Sequence, residues 1–257
     1  MSFFCNSYPV IEKKALAEDI YSYTILCPEV AENASIGQFV QIKAEGYTLR
    51  RPISICSTDK EKGTIRLVFE VRGKGTDKIT ELNKGDLMDV IAPLGKGFTT
   101  PSKKEGRVIV IGGGIGTPPM LDIAKQYGEN CTAILGFRSF DRVILDKDYA
   151  ATGAKTIVCT DDGSVGVKGT VIGPLTEELA KGDVACVYAC GPTPMLKAIV
   201  EATKAAGVDS EVSLEQRMGC GVGACVVCAC TVIRGGKEYV LRVCKDGPVF
   251  KGEEVVL

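Results

Sequence analysis

Four cysteines near the C-terminal end, Cys220, Cys225, Cys228 and Cys244, are spaced C-x4-C-x2-C, with the fourth following after fifteen further residues. This is the plant-type spacing for a [2Fe–2S] cluster, and it obliges the surrounding chain to fold as a wrap. Gly219, Gly221 and Gly223 interleave the first ligands. Without a Cβ the backbone turns tightly enough for its N–H groups to point at cluster sulfurs. The competing readings are a structural zinc site, whose usual pairs are C-x2-4-C, and a set of scattered buried thiols. Cys230 lies two residues past Cys228 and shares its face on an extended segment; it reads as a core thiol rather than a further ligand.

The rest of the composition narrows the chemistry. The chain has no histidine, which removes Rieske ligation, histidine-ligated haem and any Ser-His or Cys-His catalytic pair. Catalysis by side chains is therefore not expected, and the work falls to cofactors. With 31 basic against 32 acidic residues there is no electrostatic footprint for nucleic acid or an anionic membrane. The segment from Met1 to Lys14 lacks a basic region followed by an apolar one, and no long apolar run occurs, so a soluble, cytoplasmic protein is expected. In that setting the 12 cysteines read as reduced thiols plus a metal cluster rather than as disulfides.

Along the chain, residues 8–100 read as short β-rich runs: Ile20 to Cys27, Phe39 to Ala44, Ile53 to Ser57, Thr64 to Val71 and Leu87 to Ala92. Strands at that spacing predict a small barrel or sandwich. From Arg107 strand-like runs alternate with helix-like ones, such as Cys131 to Phe137, Thr156 to Thr160 and Ala185 to Ala189 against Pro118 to Tyr127, Pro174 to Ala180 and Pro194 to Ala206. That alternation predicts an open parallel sheet.

Two turns in this second region lie between strand and helix. Gly112-Gly113-Gly114-Ile115-Gly116-Thr117 permits close backbone approach and predicts a pyrophosphate site, although its order differs from G-x-G-x-x-G. Cys190-Gly191-Pro192 holds the equivalent position on a second strand, so both turns are expected at one carboxyl edge of the sheet, where ligands bind. In the first region Arg50 and Arg51 are followed by Gly73-Lys74-Gly75-Thr76, a guanidinium fork and a flexible turn that suit a phosphate. Taken singly, each of these reads equally as solvated surface or a plain turn.

In this order the motifs resemble the ferredoxin–NADP reductase superfamily and, within it, the electron-transfer subunits of class B dihydroorotate dehydrogenases. The resemblance rests on Arg51-Pro52-Ile53-Ser54, Gly75-Thr76, Gly112 to Gly116, Met218 to Cys225 and Val243 to Phe250, and covers nearly the whole chain. It implies an α+β multidomain fold: an N-terminal antiparallel β-barrel binding FAD (1–102), an α/β parallel-sheet domain binding NAD (103–210) and a small C-terminal [2Fe–2S] subdomain (211–257). It further implies that Arg51 and Thr76 hold the FAD phosphates, that Ser54 lies near the reactive edge of the isoalloxazine, and that Val68, Phe69 and Glu70 line the flavin. Gly113, Gly114, Gly116 and Thr117 with Cys190, Gly191 and Pro192 would hold the nicotinamide nucleotide. Ile53 stands where the wider superfamily usually has tyrosine.

A hydride carrier and a one-electron cluster need a converter between them, and a flavin supplies it. The resemblance names the partner as an FMN-containing catalytic subunit, in a heterotetramer with two copies of each. The close alternative is the small subunit of a bifurcating NADH-dependent ferredoxin:NADP oxidoreductase or sulfide dehydrogenase, in which an aspartate commonly replaces one ligand cysteine. A zinc-stabilised ligand-binding module is the alternative of another class. At the nucleotide, Arg138 and Ser139 suit a 2′-phosphate or equally a strand capped at a solvated surface, while Asp161 and Asp162 suit a ribose or an Asx turn.

Overall fold

The computed structural model describes residues 3–100 and 106–257. The expected border between 102 and 103 falls outside the described residues. Six strands close into a barrel in the order β1-β2-β5-β4-β3-β6: β1 (Phe4–Ala17), β2 (Ile20–Leu26), β3 (Phe39–Ile42), β4 (Arg51–Asp59), β5 (Thr64–Glu70) and β6 (Leu87–Leu94). Two short helices, α1 (Pro28–Asn33) and α2 (Lys74–Ile79), sit in its connections.

The first strand decides between barrel and sandwich, and sequence reasoning passed over it. Its alternation is blurred by Pro9 and by Glu12, Lys13 and Lys14, and only Tyr8 and Val10 are buried. Yet β1 pairs with β6 through Phe4 to Pro9 and with β2 through Val10 to Ala17, with irregularities between Val10 and Glu12 and between Ala15 and Ala17, so a single long strand serves both edges. Closure of this kind leaves no free edge.

Alternation fixes which residues face inward. Tyr23 and Ile25, Val40 and Ile42, and Ile65, Leu67 and Phe69 fill the barrel, where Phe69 stacks on Tyr23 at 5.7 Å between centroids. The intervening positions Phe39 and Gln41 point out of the barrel, yet are 3% and 0% exposed because another part of the chain covers them.

The α/β region carries β7 (Arg107–Gly113), α3 (Leu121–Tyr127), β8 (Cys131–Phe137), α4 (Asp146–Ala150), β9 (Lys155–Thr160), β10 (Val167–Lys168), α5 (Ile172–Ala180), β11 (Val184–Cys190), α6 (Thr193–Ala206) and β12 (Ser210–Ser213). The remaining segment holds the hairpin β13 (Ala229–Arg234) and β14 (Lys237–Arg242), then α7 (Val243–Asp246) and β15 (Val249–Lys251). The large sheet runs β10-β9-β8-β7-β11-β12-β15, parallel throughout except for the last strand. The cluster segment therefore leaves the sheet after β12 and returns antiparallel at β15, and the border between 210 and 211 lies inside β12.

Barrel and sheet share one apolar interior. Ile20, Cys56, Val68 and Phe98 pack with Val108, Val110, Met120 and Leu121, and Thr58 N–H donates to Asp122 across the junction at 2.9 Å. Among the described residues no helix is long and apolar enough to cross a membrane.

Candidate functional site

In the sheet order, β8, β9 and β10 extend to one side of β7, whereas β11 and β12 extend to the other. The order reverses between β7 and β11, and ligands of open α/β sheets bind outside the carboxyl ends of the strands at such a point. The two glycine-bearing turns read from the sequence are the turns at these two strand ends, and they touch. A Cβ on Gly116 would lie 2.3 Å from the Cys190 carbonyl oxygen, and one on Gly113 would lie 2.6 Å from Met195 Sδ. Gly114, at φ +53°, has nothing within 4 Å of its Cβ position, so this left-handed residue opens onto free space beside the crevice.

The turn after β7 is not the strand-to-helix junction that the sequence predicts over Pro118 to Tyr127. Two 3-10 turns, Gly114–Gly116 and Pro118–Met120, precede α3, and Pro118 and Pro119 bring no N–H groups. Backbone donors are correspondingly few. Thr117 is fully buried, and its Oγ1 finds no hydrogen-bond partner while its carbonyl accepts from Tyr149. Burial pushes the Cys190 thiol up to about 12, so it is a neutral group and not a base.

At the neighbouring strand ends, Arg138 is exposed, and Ser139 Oγ donates to Asp141 at 2.6 Å. Asp162 accepts from the Ser164 N–H and hydroxyl, which holds its carboxyl below the usual range and forms an Asx turn. The Asp161 backbone N–H donates to the Phe137 carbonyl.

On the barrel, the two adjacent arginines separate. Arg50 pairs with Asp89 at 2.8 Å and donates to the Gln41 carbonyl, which makes it a brace of the strand framework. Arg51 has no carboxylate partner among the described residues; it lies over the Tyr47 ring, and a Cβ on Gly75 would fall 2.0 Å from its Nε. Arg51 at the start of β4 and Gly75 in the first turn of α2 are thus brought together. The Thr76 hydroxyl is engaged locally, accepting from Arg72 N–H at 2.9 Å and donating to the Gly73 carbonyl.

Leu49, Arg50, Arg51 and Pro52 form one wall of an open cleft of about 540 Å³; Glu215 to Met218, leading into the cysteine wrap, form the other. Along β5, Val68 faces the α/β domain. The Phe69 ring is inside the barrel, so that position offers backbone to the outer face. Glu70 links Arg72 and Arg142, and Arg72 reaches Glu215, so one chain of ion pairs joins barrel, sheet loop and wrap. Sequence reasoning missed this chain, which has no local signature.

The four cysteines of the motif stand as two pairs. The Cys220 sulfur accepts from the Ala224 and Cys225 N–H groups, the Cys225 sulfur from Cys220 N–H, and the Cys228 sulfur from Cys244 N–H. Burial raises the Cys220 thiol, but the N–H groups of Cys225, Val222 and Ala224 outweigh it and bring it down to about 6. Cys228 and Cys244 are 2% exposed and share an apolar cluster with Phe39 and Leu94 of the barrel, whereas Cys225 is exposed. Two pairs of cysteines match a [2Fe–2S] cluster, in which each of the two irons takes two protein thiolates. Cys230 packs against the same apolar cluster, and burial raises its thiol.

Comparison with known proteins covers the same ground. Residues 215–256 match the iron–sulfur cluster binding domain of dihydroorotate dehydrogenase B, and residues 7–98 match the oxidoreductase FAD-binding domain. The dihydroorotate dehydrogenase B (NAD(+)) electron transfer subunit of Geobacillus thermodenitrificans is 42% identical over 255 residues, covering 96% of this chain and 97% of its own. The subunit of the same description from Fusobacterium nucleatum is 39% identical over 255 residues, with 96% of each chain covered. Among solved structures, that of an NADH-dependent reduced ferredoxin-NADP oxidoreductase, a system of flavin-based electron bifurcation, superposes with a TM-score of 0.84 at 33% identity, covering 97% of this chain and 89% of that one.

Proposed function

Because the chain belongs to the family of dihydroorotate dehydrogenase B electron-transfer subunits, we propose that it carries electrons between NAD and an FMN-containing catalytic subunit by way of FAD and a [2Fe–2S] cluster, in pyrimidine biosynthesis. Bound FAD supplies the conversion between two-electron hydride transfer and single-electron steps. The observation that carries the reading is the cleft between Leu49–Pro52 at the start of β4 and Glu215–Met218, the segment that leads into the cysteine wrap.

Arg51 and the Gly75 backbone would hold the FAD phosphates. Thr76 reaches the same group only by giving up its bond to Gly73. Pro52, Ile53 and Ser54 would carry the isoalloxazine, and Ile53, which packs against the barrel core, brings no aromatic ring to stack on the flavin. Val68, the Phe69 backbone and Glu70 complete the wall. Gly113, Gly114, Gly116 and the unpartnered Thr117 hydroxyl, with Cys190, Gly191 and Pro192, suit the nicotinamide end of NAD. β5 lies beside the Gly114–Gly116 turn, which puts flavin and nicotinamide walls in contact. Neither a base nor an acid is needed for hydride transfer, and none is supplied here.

Cys220 and Cys225 would ligate one iron at the surface, Cys228 and Cys244 the other against the barrel. The exposed Cys225 then faces the partner. Val226 and Val227 beside it are 53% and 58% exposed, a fit for a docked subunit. The domains divide, on this reading, into a barrel that binds FAD, a sheet that binds NAD, and a cluster unit inserted between β12 and β15. A cytoplasmic heterotetramer with two copies of each subunit completes the proposal. The test is an anaerobic visible spectrum of the purified chain with iron and acid-labile sulfide assays, before and after NADH. Flavin and cluster bands that both bleach are expected; a colourless, zinc-containing protein would overturn the reading.

A further inference from the structure

The four ligand cysteines arrive on two stretches of chain. Cys220, Cys225 and Cys228 precede the hairpin β13–β14, and Cys244 follows it on α7. At the buried end the two stretches bond directly: Cys244 N–H donates to the Cys228 sulfur, and Val243 N–H to the Cys228 carbonyl at 2.9 Å. The other two ligands sit on a loop with Gly221 and Gly223 in the left-handed region, at φ +72° and +85°. Glycine leaves such a loop many conformations, so cysteines carried on it keep one geometry only if something outside the loop holds it.

Arg242 is placed to do so. It ends β14, two residues before Cys244, and its Nη1 donates at 2.9 Å to the carbonyl of Gly223, a buried residue between Cys220 and Cys225. Its Nε donates at 3.1 Å to Asp246 Oδ2, and that oxygen also accepts from the Arg242 main-chain N–H at 2.9 Å. Asp246 ends α7, two residues past Cys244. One planar guanidinium thus joins the helix that carries Cys244 to the loop that carries Cys220 and Cys225, with its orientation set by a carboxylate. The Arg242 and Asp246 side chains are 31% and 22% exposed, so this pair is more sheltered than the surface ion pairs that contribute little. Lys245 adds packing at the same point: a Cβ on Gly223 would lie 2.5 Å from Lys245 Cδ. Among the described residues no other side chain donates a hydrogen bond to the main chain of residues 219–225.

We propose that Arg242 is a positioning residue for the iron–sulfur cluster: through the Gly223 carbonyl and Asp246 it holds the loop of Cys220 and Cys225 in fixed register against Cys244. The proposal rests on the functional reading above and deepens it, because the loop it fixes carries Cys225, the ligand turned toward the partner. Two consequences separate this role from plain support of the fold. The guanidinium is a permanent positive charge bonded to the ligand loop, so it favours the reduced, more negative state of a cluster held there. A lysine in its place keeps the charge but loses the fork that reaches two acceptors at once.

The test uses the full chain loaded with FAD and cluster, and compares Arg242→Met, Arg242→Lys and Asp246→Asn with wild type. Lys237→Met removes a charge from the far end of the same hairpin and serves as control. The readouts are the electron paramagnetic resonance spectrum of the reduced cluster, its midpoint potential, and the rate of iron release to a chelator. Arg242→Met is expected to shift the g values, lower the potential and release iron about tenfold faster, the equivalent of one lost hydrogen bond. Arg242→Lys should return the potential toward wild type without restoring the release rate, and Lys237→Met should match wild type throughout. An Arg242→Met variant with full iron content and wild-type g values, potential and release rate would overturn the proposal. Should that variant take up no cluster, unchanged g values and release rates in both Arg242→Lys and Asp246→Asn would overturn it equally. A wild-type chain that binds no [2Fe–2S] cluster would instead overturn the functional reading.

Discussion

Gly75→Ala tests the phosphate grip where the Arg51 guanidinium packs on the Gly75 backbone. The Cβ it adds would lie 2.0 Å from Arg51 Nε and Nη2, where ordinary contact begins at 3.4 Å, so the guanidinium must retreat by at least the difference, about 1.4 Å. Gly75 has no left-handed φ, and the atoms it would strike end a flexible side chain, so the fold should tolerate the change. Arg51 cannot then keep its charge-assisted contact with a phosphate. Such contacts are worth about 1.5–3 kcal/mol, which predicts FAD binding weaker by about 10- to 150-fold. The assay is a titration of apoprotein with FAD, followed by flavin fluorescence, for Gly75→Ala, Arg51→Met and the double variant. If both changes act through one contact, the double variant should bind no worse than the weaker single one. Wild-type affinity in Gly75→Ala, or fully additive losses, would refute the reasoning.

Cys225→Ala should lose both irons by iron and sulfide assay, yet retain NADH-to-flavin bleaching, whereas Cys230→Ser should keep full iron content because that thiol packs in the apolar layer. Gly116→Ala sets a Cβ 2.3 Å from the Cys190 carbonyl, a backbone atom that cannot step aside, so it should raise the KM for NADH at least tenfold and cost about 1–3 kcal/mol in a urea titration while FAD stays bound. Glu178 is buried at 4% side-chain exposure beneath Arg107, Lys155 and Lys181. Burial raises its carboxyl, but the two lysines win and hold it near 2, below its ordinary 4.5. A depressed pKa stabilises the fold above 4.5 and loses that contribution as pH falls toward 2. The full value is about 3 kcal/mol, less after screening, because both lysines are half exposed. Urea midpoints should fall more steeply below pH 4.5 for wild type than for Glu178→Gln.

The sequence by itself determined the chemistry carried by local pattern. Ligand spacing and interleaved glycines are properties of a short stretch of chain, so the cluster-binding segment that holds Cys220, Cys225, Cys228 and Cys244 was legible. The run Cys131 to Phe137 was readable to both ends because a buried parallel strand is apolar throughout. The turn after β11 was readable because its glycine stands between a strand-like and a helix-like run, whereas the one after β7 passes through two 3-10 turns before its helix. Tertiary structure decided everything that depends on which distant segments meet. Barrel closure depends on β1, whose polar sequence conceals a strand that pairs on both sides. The division of labour between Arg50 and Arg51 depends on Asp89 lying within reach of only one of them. The last strand joins the sheet antiparallel because the cluster segment makes a full excursion before Val249, a connection that no residue pattern encodes. Gln41 reads from sequence as one polar residue in an apolar strand. It becomes a buried contact between barrel and cysteine wrap only when β3 and β4 pair and the wrap folds down upon them, since contact between segments 177 residues apart is a property of packing and not of pattern.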